Sequence, residues 1–577
     1  MQSRFGLIFV LVSLLILGIL AGATIVAFNR QSEHQPYQFL YRAVDKLARM
    51  YVSATLDDYA GPPEEYFSST FTGVVGTVIE IPRADMPGAG GGIAAVGDLA
   101  VVMTFRGRIY LVNDDGSFTE SSISVPDHGL DAYRAAAQRP EYSGDDFSHD
   151  FSRLRYNEIE YVSNELGRFL FITYTRFDGD NDCYWLVVSK LGLGNRSLEE
   201  ISAETSDWED VFQTSPCLPL RAVLSSIQGE EAGGRIAFSA DGLTAYLTVG
   251  EYGWNGWDTD GLTELSESSL AQNSDTDYGK VIQIDLRTDI ARHYSIGHRN
   301  SQGITVDQEG RVWAVEHGAR GGDELNLITE GTNYGWPIVS YGTEYDGAPI
   351  PGIEFLGRHD GYQEPAYAWL PSIGVSSLVT FNGFHSTWEG DLGAISLRTG
   401  TLFRIRVEGE RVIFTEEIEF GRRLRDIEQM DNGGLIVWTD SHEVIFLDAV
   451  TGSFGDQMLT RMLADLERND PEFAAKAAEA FQSCSSCHAY NRDENRIGPA
   501  LATVFGRRVG RHPTYGQYSN ALQSANGIWD GETLAGYLRA PDRAYPGTTM
   551  PDPGIDDERV IQQVVLFLEQ MKQNTVE

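Results

Sequence analysis

The chain has 577 residues, with 83 Asp and Glu against 44 Lys and Arg, and a formal net charge of −39 at pH 7. That length exceeds one ordinary core, so two or more domains are expected. Fixed charge of that sign repels a nucleic-acid backbone, which excludes nucleic acid as a partner.

The N-terminus, MQSRFGLIFVLVSLLILGILAGATIVAFNR, carries no charged residue from Phe5 to Phe28. Such a run covers the ~20 residues that cross a bilayer as a helix and outlasts the ~7–15 apolar residues usual in a signal peptide. Residues 1–35 are therefore read as a transmembrane helix that anchors the chain, with cleavage after AGA at 21–23 as the alternative. Arg4 and Arg30 flank the run evenly, so charge barely orients it. Residues 36–66 form a linker holding one short helical segment, FLYRAVDKLARMYV, ahead of a Pro/Gly break.

From Phe67 the pattern changes. Short apolar or alternating runs (GTVIEI, LAVVMTF, RIYLVN, FLFITYT, YWLVVSKL, RIAFSA, TAYLTVG, VIQIDL, RVWAVE, LFRIRV, RVIFTE, LIVWTD) recur between Gly, Asp and Asn turns. No helical crossovers separate them, so residues 67–452 are predicted to be all-β and not a parallel doubly wound sheet. The turns suit the radial sheets of a propeller, but pattern alone does not distinguish a propeller from two sandwiches. Asp178, Asp180 and Asp182 open like a calcium loop, yet Cys183 and Ser189 stand where that loop needs Gly and Glu; a polar hairpin tip is expected. The glycines of GAGGG, 88–92, lack the spacing of a phosphate loop. Cys183 and Cys217 are expected to form a disulfide if the chain lies in an oxidising compartment.

FQSCSSCHAY, 481–490, contains Cys-x-x-Cys-His, a c-type haem attachment signature. Cys484 and Cys487 would add to the haem vinyl groups and His488 would reach the iron. No second Cys/His pair at zinc-ligand spacing follows. IGPALATVFGRRVG (497–510), SANGIWDGETLAGYLRAP (524–541) and YPGTTMPDPG (545–554) resemble a class I cytochrome c. The resemblance implies a small all-α domain over 453–577 with Met550 as the second iron ligand; His512 and Met571 are the competitors. His/Met ligation raises the reduction potential, which suits an iron that accepts electrons. Thioether attachment is completed outside the cytoplasm, so the bulk of the chain is expected in the periplasm or outside the cell.

The stretch IGHRNSQGITVDQEGRVWAVEHGARGGDELNLITEGTNYGWP, 296–337, resembles the soluble pyrroloquinoline quinone (PQQ) sugar dehydrogenases, the glucose/sorbosone and aldose sugar dehydrogenase family. AWLPSIGVSSLVTFNG (368–383), SLRTGTLFRIRV (396–407) and GRRLRDIEQMDNGG (421–434) extend the likeness, which implies a six-bladed propeller. PQQ is a flat tricarboxylate with an ortho-quinone, so its site needs guanidinium forks and a hard cation. By resemblance, Arg299, Asn300, Arg423 and Arg425 are cofactor contacts. Arg398 stands where the family has lysine, and Trp369 matches an aromatic at the pocket mouth. Backbone carbonyls of Gly318 and Ala319 match a calcium site at PQQ, and Glu324 and Tyr334, with Glu230, match a second calcium site.

One departure concerns catalysis. In GEEAGGRIAFSADG, 229–242, Glu231 occupies the position of the family's general-base histidine, while Asp323, which orients that base, is retained. Facing each other, the two carboxylates would form a like-charge pair that shares a proton in a shielded pocket, or that nearby arginines and calcium keep ionised, leaving Glu231 a weaker base than imidazole. The family's Gly/Leu-rich segment is also altered, to RYNEIEYVSN (155–164). The implied function is oxidation of a sugar or other alcohol by PQQ, with electrons passing to the chain's own haem c and then to a respiratory acceptor. The alternative is a binding or sensing propeller without sugar turnover, attached to an electron-transfer cytochrome.

Overall fold

The computed structural model describes residues 64–574, apart from 70–71, 83–89, 143–148, 221–226, 257–268, 354, 451–457, several positions between 460 and 469, and 491–494. The expected anchor and the helical linker before residue 64 lie outside the described residues. Among the described residues no helix is long and apolar enough to cross a membrane.

Six sheets of four or five strands follow one another along the chain. Blade 1 runs through Gly91–Val96, Leu99–Thr104, Ile109–Val112 and Phe118–Glu120. Blade 2 has Tyr156–Asn164, Gly167–Asp178, Cys183–Gly192 and Trp208–Gln213. Blade 3 has Gly233–Phe238, Thr244–Val249, Lys280–Asp285 and Ile290–Ile296. Blade 4 has Ser301–Val306, Val312–Glu316, Asp323–Ile328 and Tyr367–Trp369. Blade 5 has Val375–Thr380, Leu392–Ser396, Thr401–Glu408 and Arg411–Glu419. Blade 6 takes Leu424–Gln429, Leu435–Thr439 and Glu443–Val450 from the end of the region, then Gly73–Glu80 and Glu64–Ser68 from its beginning.

The first strand of each blade packs against the first strands of the two neighbouring blades, so the six close into a ring. That closure separates a propeller from a pair of sandwiches. The lock is the antiparallel pairing of Gly73–Glu80 with Glu443–Val450, from Gly73↔Val450 to Glu80↔Glu443. Blades stack face to face, so central strands such as Val312–Glu316 and Leu435–Thr439 are buried on both sides, and their sequences run apolar without alternation.

The ring strands of blades 2 to 6 share a further feature. Each has a register shift close to its first residue: Tyr156/Glu158, Gly233/Ile236, Ser301/Gly303, Val375/Ser377 and Leu424/Asp426. Bulges re-aim side chains and backbone groups, and here they do so at one end of the ring.

Cys183 and Cys217 form a disulfide with Cα atoms 5.6 Å apart. Asp178 and Cys183 pair across a hairpin, and Asp178 accepts Asp180 N at 2.9 Å, so the acidic run is the hairpin tip expected. The C-terminal region is helical, with Pro471–Ser485, Asn520–Ser524, Gly531–Arg539, Pro541–Ala544 and Glu558–Asn574. Asp470 caps the first of these by accepting Phe473 N at 3.1 Å. Phe481, Tyr490, Phe567 and Met571 lie at the centre of its core.

Candidate functional sites

In an antiparallel meander the chain enters the first strand at the same end as the turn between the second and third strands. Arg155, Glu231, Arg299 and Arg425 lie at or near ring-strand entries, and Glu251, residues 317–322, Arg398 and Asp440 lie in second-to-third turns. Topology therefore gathers all of them at one mouth of the propeller.

The guanidinium of Arg299 donates to the Glu231 carboxylate across the seam between blades 3 and 4. It also lies 3.5 Å from the Gly318 carbonyl oxygen and 5.4 Å over the Trp336 ring. Asn300 braces the same seam. Its Nδ2 donates to the Glu230 carbonyl at 3.1 Å, and its Oδ1 accepts Gly233 N at 3.2 Å and Gln302 Nε2 at 2.8 Å. Asp323 is turned the other way. Oδ1 accepts Gly318 N at 3.1 Å, while Oδ2 accepts Ile373 N, Gly374 N and Val375 N at 3.0, 2.6 and 3.3 Å. Glu231 and Asp323 are thus not the like-charge pair expected. The turn into blade 5 presents three successive N–H groups, an anion nest that Asp323 fills.

On the far side, Arg423 Nε donates to Asp440 Oδ2 at 2.8 Å, and Arg425 binds both Asp440 oxygens, at 2.8 and 3.1 Å. Burial pushes the Asp440 carboxyl up, but the Arg425 and Arg423 guanidinia outweigh it and hold the group below its usual value. Arg425 is buried whereas the Arg423 side chain is 56% exposed. Arg398 is exposed and donates through Nη1 to the Ser372 carbonyl at 2.7 Å. Arg398 and Arg423 are therefore the exposed guanidinia here, with Arg425 buried behind Arg423 on the shared Asp440. Planar carboxylates are matched by such forks. A Cβ on Gly318 would lie 2.1 Å from the Gly321 oxygen and 2.5 Å from the Gly322 oxygen. Carbonyl oxygens thus crowd this loop, the chemistry a hard cation uses.

The helical domain encloses a second site, a cavity of about 390 Å³ bordered by Cys484, Cys487, His488, Trp529 and Met550. His488 Nδ1 lies 2.7 Å from the Pro499 carbonyl, so with the proton on Nδ1 the Nε2 lone pair is left for a metal. Gly498 lies against the ring, where a Cβ would come within 2.2 Å of His488 Cε1. Buried Arg507 Nε and Nη2 and the Tyr518 hydroxyl have no hydrogen-bond partner among the described residues. Both residues border the cavity, and their donors suit the propionates of a haem. Of the competing iron ligands, Met571 is fully buried in the helical core and His512 borders a different cavity, with Arg511. Neither borders the haem cavity.

A family profile described as Glucose / Sorbosone dehydrogenase matches residues 160–447. The uncharacterized protein slr1608 of Synechocystis sp. PCC 6803 is 33% identical over 253 residues, 41% of this chain and 58% of that protein. The aldose sugar dehydrogenase YliI of Escherichia coli K12 is 28% identical over 282 residues, 44% of this chain and 70% of the relative. Cytochrome c2 of Agrobacterium tumefaciens is 36% identical over 98 residues, 16% of this chain and 87% of the relative. A crystal structure of a glucose dehydrogenase superposes with a TM-score of 0.50 at 22% identity, covering 65% of this chain and 99% of the other. The chain joins a glucose/sorbosone dehydrogenase propeller to a cytochrome c.

Several residues expected at the site of this dehydrogenase propeller have other surroundings in the structure. Trp369 is buried, edge-on to Tyr367 and Phe403 at 5.1 and 6.0 Å, and does not line the mouth; its neighbour Leu370 is the exposed one. The residues assigned to a second calcium have separate partners. Glu230 pairs with Arg153 at 2.7 Å and Glu324 with His359 at 3.2 Å, while the Tyr334 hydroxyl is engaged by the Leu327 carbonyl and Thr329 N. Among the described residues no group of three or more His, Cys, Asp or Glu is arranged to hold a metal. Arg155 was not singled out from sequence. It is buried at the entry to blade 2, and burial with the nearby Arg425 lowers its guanidinium to about 10, against the opposing pull of Glu230 and Asp440. Its signal was the altered segment RYNEIEYVSN, of which it is the first residue. Beneath the mouth, Arg235 ties Glu158 to Asp426.

Proposed function

We propose that the chain is a quinohaemoprotein dehydrogenase. A sugar or another alcohol is oxidised in the propeller with PQQ, and the electrons pass to the chain's own haem c and on to a respiratory acceptor. The observation that carries this reading is Glu231 bonded to Arg299 at a mouth whose other side holds Arg398, Arg423 and Arg425, in a chain that also builds its own haem cavity. Arg398 and Arg423 have exposed donors for cofactor carboxylates, Arg425 is held behind Arg423 by Asp440, Arg299 adds a fork across the mouth, and the carbonyls of Gly318 and Ala319 would face a calcium ion. Bound there, PQQ supplies a two-electron acceptor for the hydride of the alcohol carbon.

Glu231 takes the hydroxyl proton. Its oxygen is engaged by Arg299 and reaches a substrate only when that guanidinium turns to another anion. Asp323 is a positioning residue: its carboxylate fastens the 318 loop of blade 4 to the entry of blade 5. The alternative, a binding module without turnover, is favoured by one feature, namely that the candidate base is already paired with Arg299. The same proposal includes an anchor over residues 1–35 and both domains outside the cytoplasm. Support comes from the uncharged N-terminal run, the haem attachment signature and the Cys183–Cys217 disulfide, which belongs to an oxidising compartment.

The test is to add PQQ and calcium to the purified full chain, then a panel of aldoses and polyols, while recording the haem spectrum. Substrate-dependent haem reduction is expected. Calcium-dependent PQQ binding with no reduction by any substrate would replace the enzyme by the binding module.

A further inference from the structure

The ring strands of blades 2, 3 and 6 send charged side chains across the axis of the propeller. Arg235 of blade 3 pairs with Glu158 of blade 2 and, at 3.0 Å, with Asp426 of blade 6. Blades 3 and 6 face each other in a six-membered ring, so this guanidinium spans the axis. Asp426 also accepts Ile93 N of blade 1 at 2.9 Å and Ile427 N at 3.0 Å. Two residues further along the same strands, Glu160 and Glu428 form a second layer, ~7 Å deeper, and their carboxyls are hydrogen-bonded to each other past blade 1. Blade 1 leaves the space: a Cβ on Gly92, the last glycine of GAGGG, would stand 2.2 Å from Glu158 Oε1.

A hydrogen bond between two carboxyls needs a proton on one of them. The surroundings ask for it too, because Glu158, Glu160, Asp426 and Glu428 share the Arg235 guanidinium. The ring strands of blades 1, 4 and 5, Gly91–Val96, Ser301–Val306 and Val375–Thr380, supply no titratable group. Burial and the neighbouring Asp426 push Glu428 up to about 8 against the pull of Arg235. Burial, with Glu428, Glu158 and Asp426, raises Glu160 well above its usual value. Both side chains are only half-buried, so the pair stays within reach of solvent.

We propose that the axial channel is a proton site: Glu160 and Glu428 share one proton and pass on the protons that oxidation at the mouth releases. This rests on the dehydrogenase reading. Oxidising an alcohol to a carbonyl breaks one O–H and one C–H bond and yields two electrons and two protons. The haem takes the electrons alone, so both protons leave through groups of the chain. Arg299, Arg398, Arg423 and Arg425 make the mouth electropositive, which repels protons, whereas the channel below offers carboxyls. Glu158 and Asp426, held by Arg235, lie between the mouth and the pair. A proton reaching the pair from that side displaces the one it holds towards the far end of the channel, and the pair returns to its starting state.

The experiment reads the proton first. Infrared spectra of the purified full chain without PQQ are expected to show the carbonyl stretch of a protonated carboxyl at neutral pH, shifted in D2O and lost as the pH rises through about 8. Glu160→Gln and Glu428→Gln, which keep the shape of the side chain, should each remove that band. With PQQ and calcium added, each variant should reduce its haem ~10²-fold more slowly on addition of sugar, with KM unchanged and a larger solvent isotope effect than the parent. A parent without the band, a band that survives in both variants, or one that disappears when calcium is added overturns the shared proton. Loss of the band with haem reduction at the parental rate overturns the relay and leaves the dehydrogenase standing. Loss of the band in the variants, with no haem reduction by any substrate in the parent, keeps the proton site and overturns the dehydrogenase.

Discussion

Glu231 is bonded to Arg299 across the seam of blades 3 and 4, and Asp323 faces away from both into blade 5. The Glu231 and Arg299 side chains are only 14% and 9% exposed. Removing one charge from such a pair leaves the other uncompensated. Glu231→Gln is therefore expected to lower stability by about 1–3 kcal/mol. As the proposed base, it should also lose ~10²–10⁴-fold in turnover, with PQQ affinity nearly intact. Steady-state haem reduction and quinone titration check the two parts separately. Turnover equal to the parent would move the base elsewhere, with His317 the nearest candidate. An inert parent that gains sugar oxidation on Glu231→His would mark the natural chain as the binding module.

Asp440 carries a pH dependence of definite sign. Its carboxyl is held below the usual 3.8 by Arg425 and Arg423 despite burial. A carboxyl lowered on folding contributes stability that is fully present above its unfolded value and is lost as pH falls through the folded one. Asp440→Asn should cost about 1–3 kcal/mol at pH 7, and the gap to the parent should close as pH falls below 3.8. Urea midpoints of the propeller at neutral and acid pH measure this. A gap that stays constant would show that Asp440 acts through packing and not through charge.

The disulfide makes a simpler statement. Cys183 and Cys217 are 34 residues apart, and closing a loop of that length in the unfolded chain is worth ~3–4 kcal/mol in the chain-entropy account. The double variant Cys183→Ser/Cys217→Ser should unfold at lower temperature by calorimetry, and reduced parent should unfold with it. Reductant that leaves the parent unmoved would mean the bond is not formed in solution.

What could be read from the sequence divides along physical lines. The haem attachment signature was legible because it is local, with Cys484, Cys487 and His488 at one helix end; that Met550, distant in sequence, borders the same cavity is a matter of the fold. The all-β character was legible from short runs and turns, but propeller and sandwich share strand lengths. What separates them is the pairing of Gly73–Glu80 with Glu443–Val450, which no local pattern encodes. The arginine positions were legible because each sits at a strand entry or turn. Their partners were not, since Glu231 meets a residue of the next blade and Asp323 backbone of the blade after its own. Trp369 ends its strand with its ring packed on Tyr367 and Phe403, and a matched motif position does not say which way the ring turns.

The orientation of His488 is fixed from two sides, and these can be broken separately from Met550, the residue proposed as the second iron ligand. Nδ1 is bonded to the Pro499 carbonyl at 2.7 Å, and Gly498 lies against the ring, leaving 2.2 Å between a Cβ placed there and Cε1. Gly498 N also donates to the Cys487 carbonyl at 2.7 Å, so the backbone cannot retreat without disturbing the attachment turn. Gly498→Ala must therefore displace the imidazole. The thiols of Cys484 and Cys487 precede the change and keep their positions, so haem should still attach in full while the iron–imidazole bond weakens, seen as high-spin absorption and a shifted potential. Met550→Ala changes a different residue of the cavity lining. It should keep the imidazole bond, abolish the sulfur-to-iron charge-transfer band and lower the potential. A band that persists in Met550→Ala would mean another sulfur reaches the iron. Met571 would then have to leave the centre of the helical core, where it is fully buried, a rearrangement that would also show as loss of helical stability.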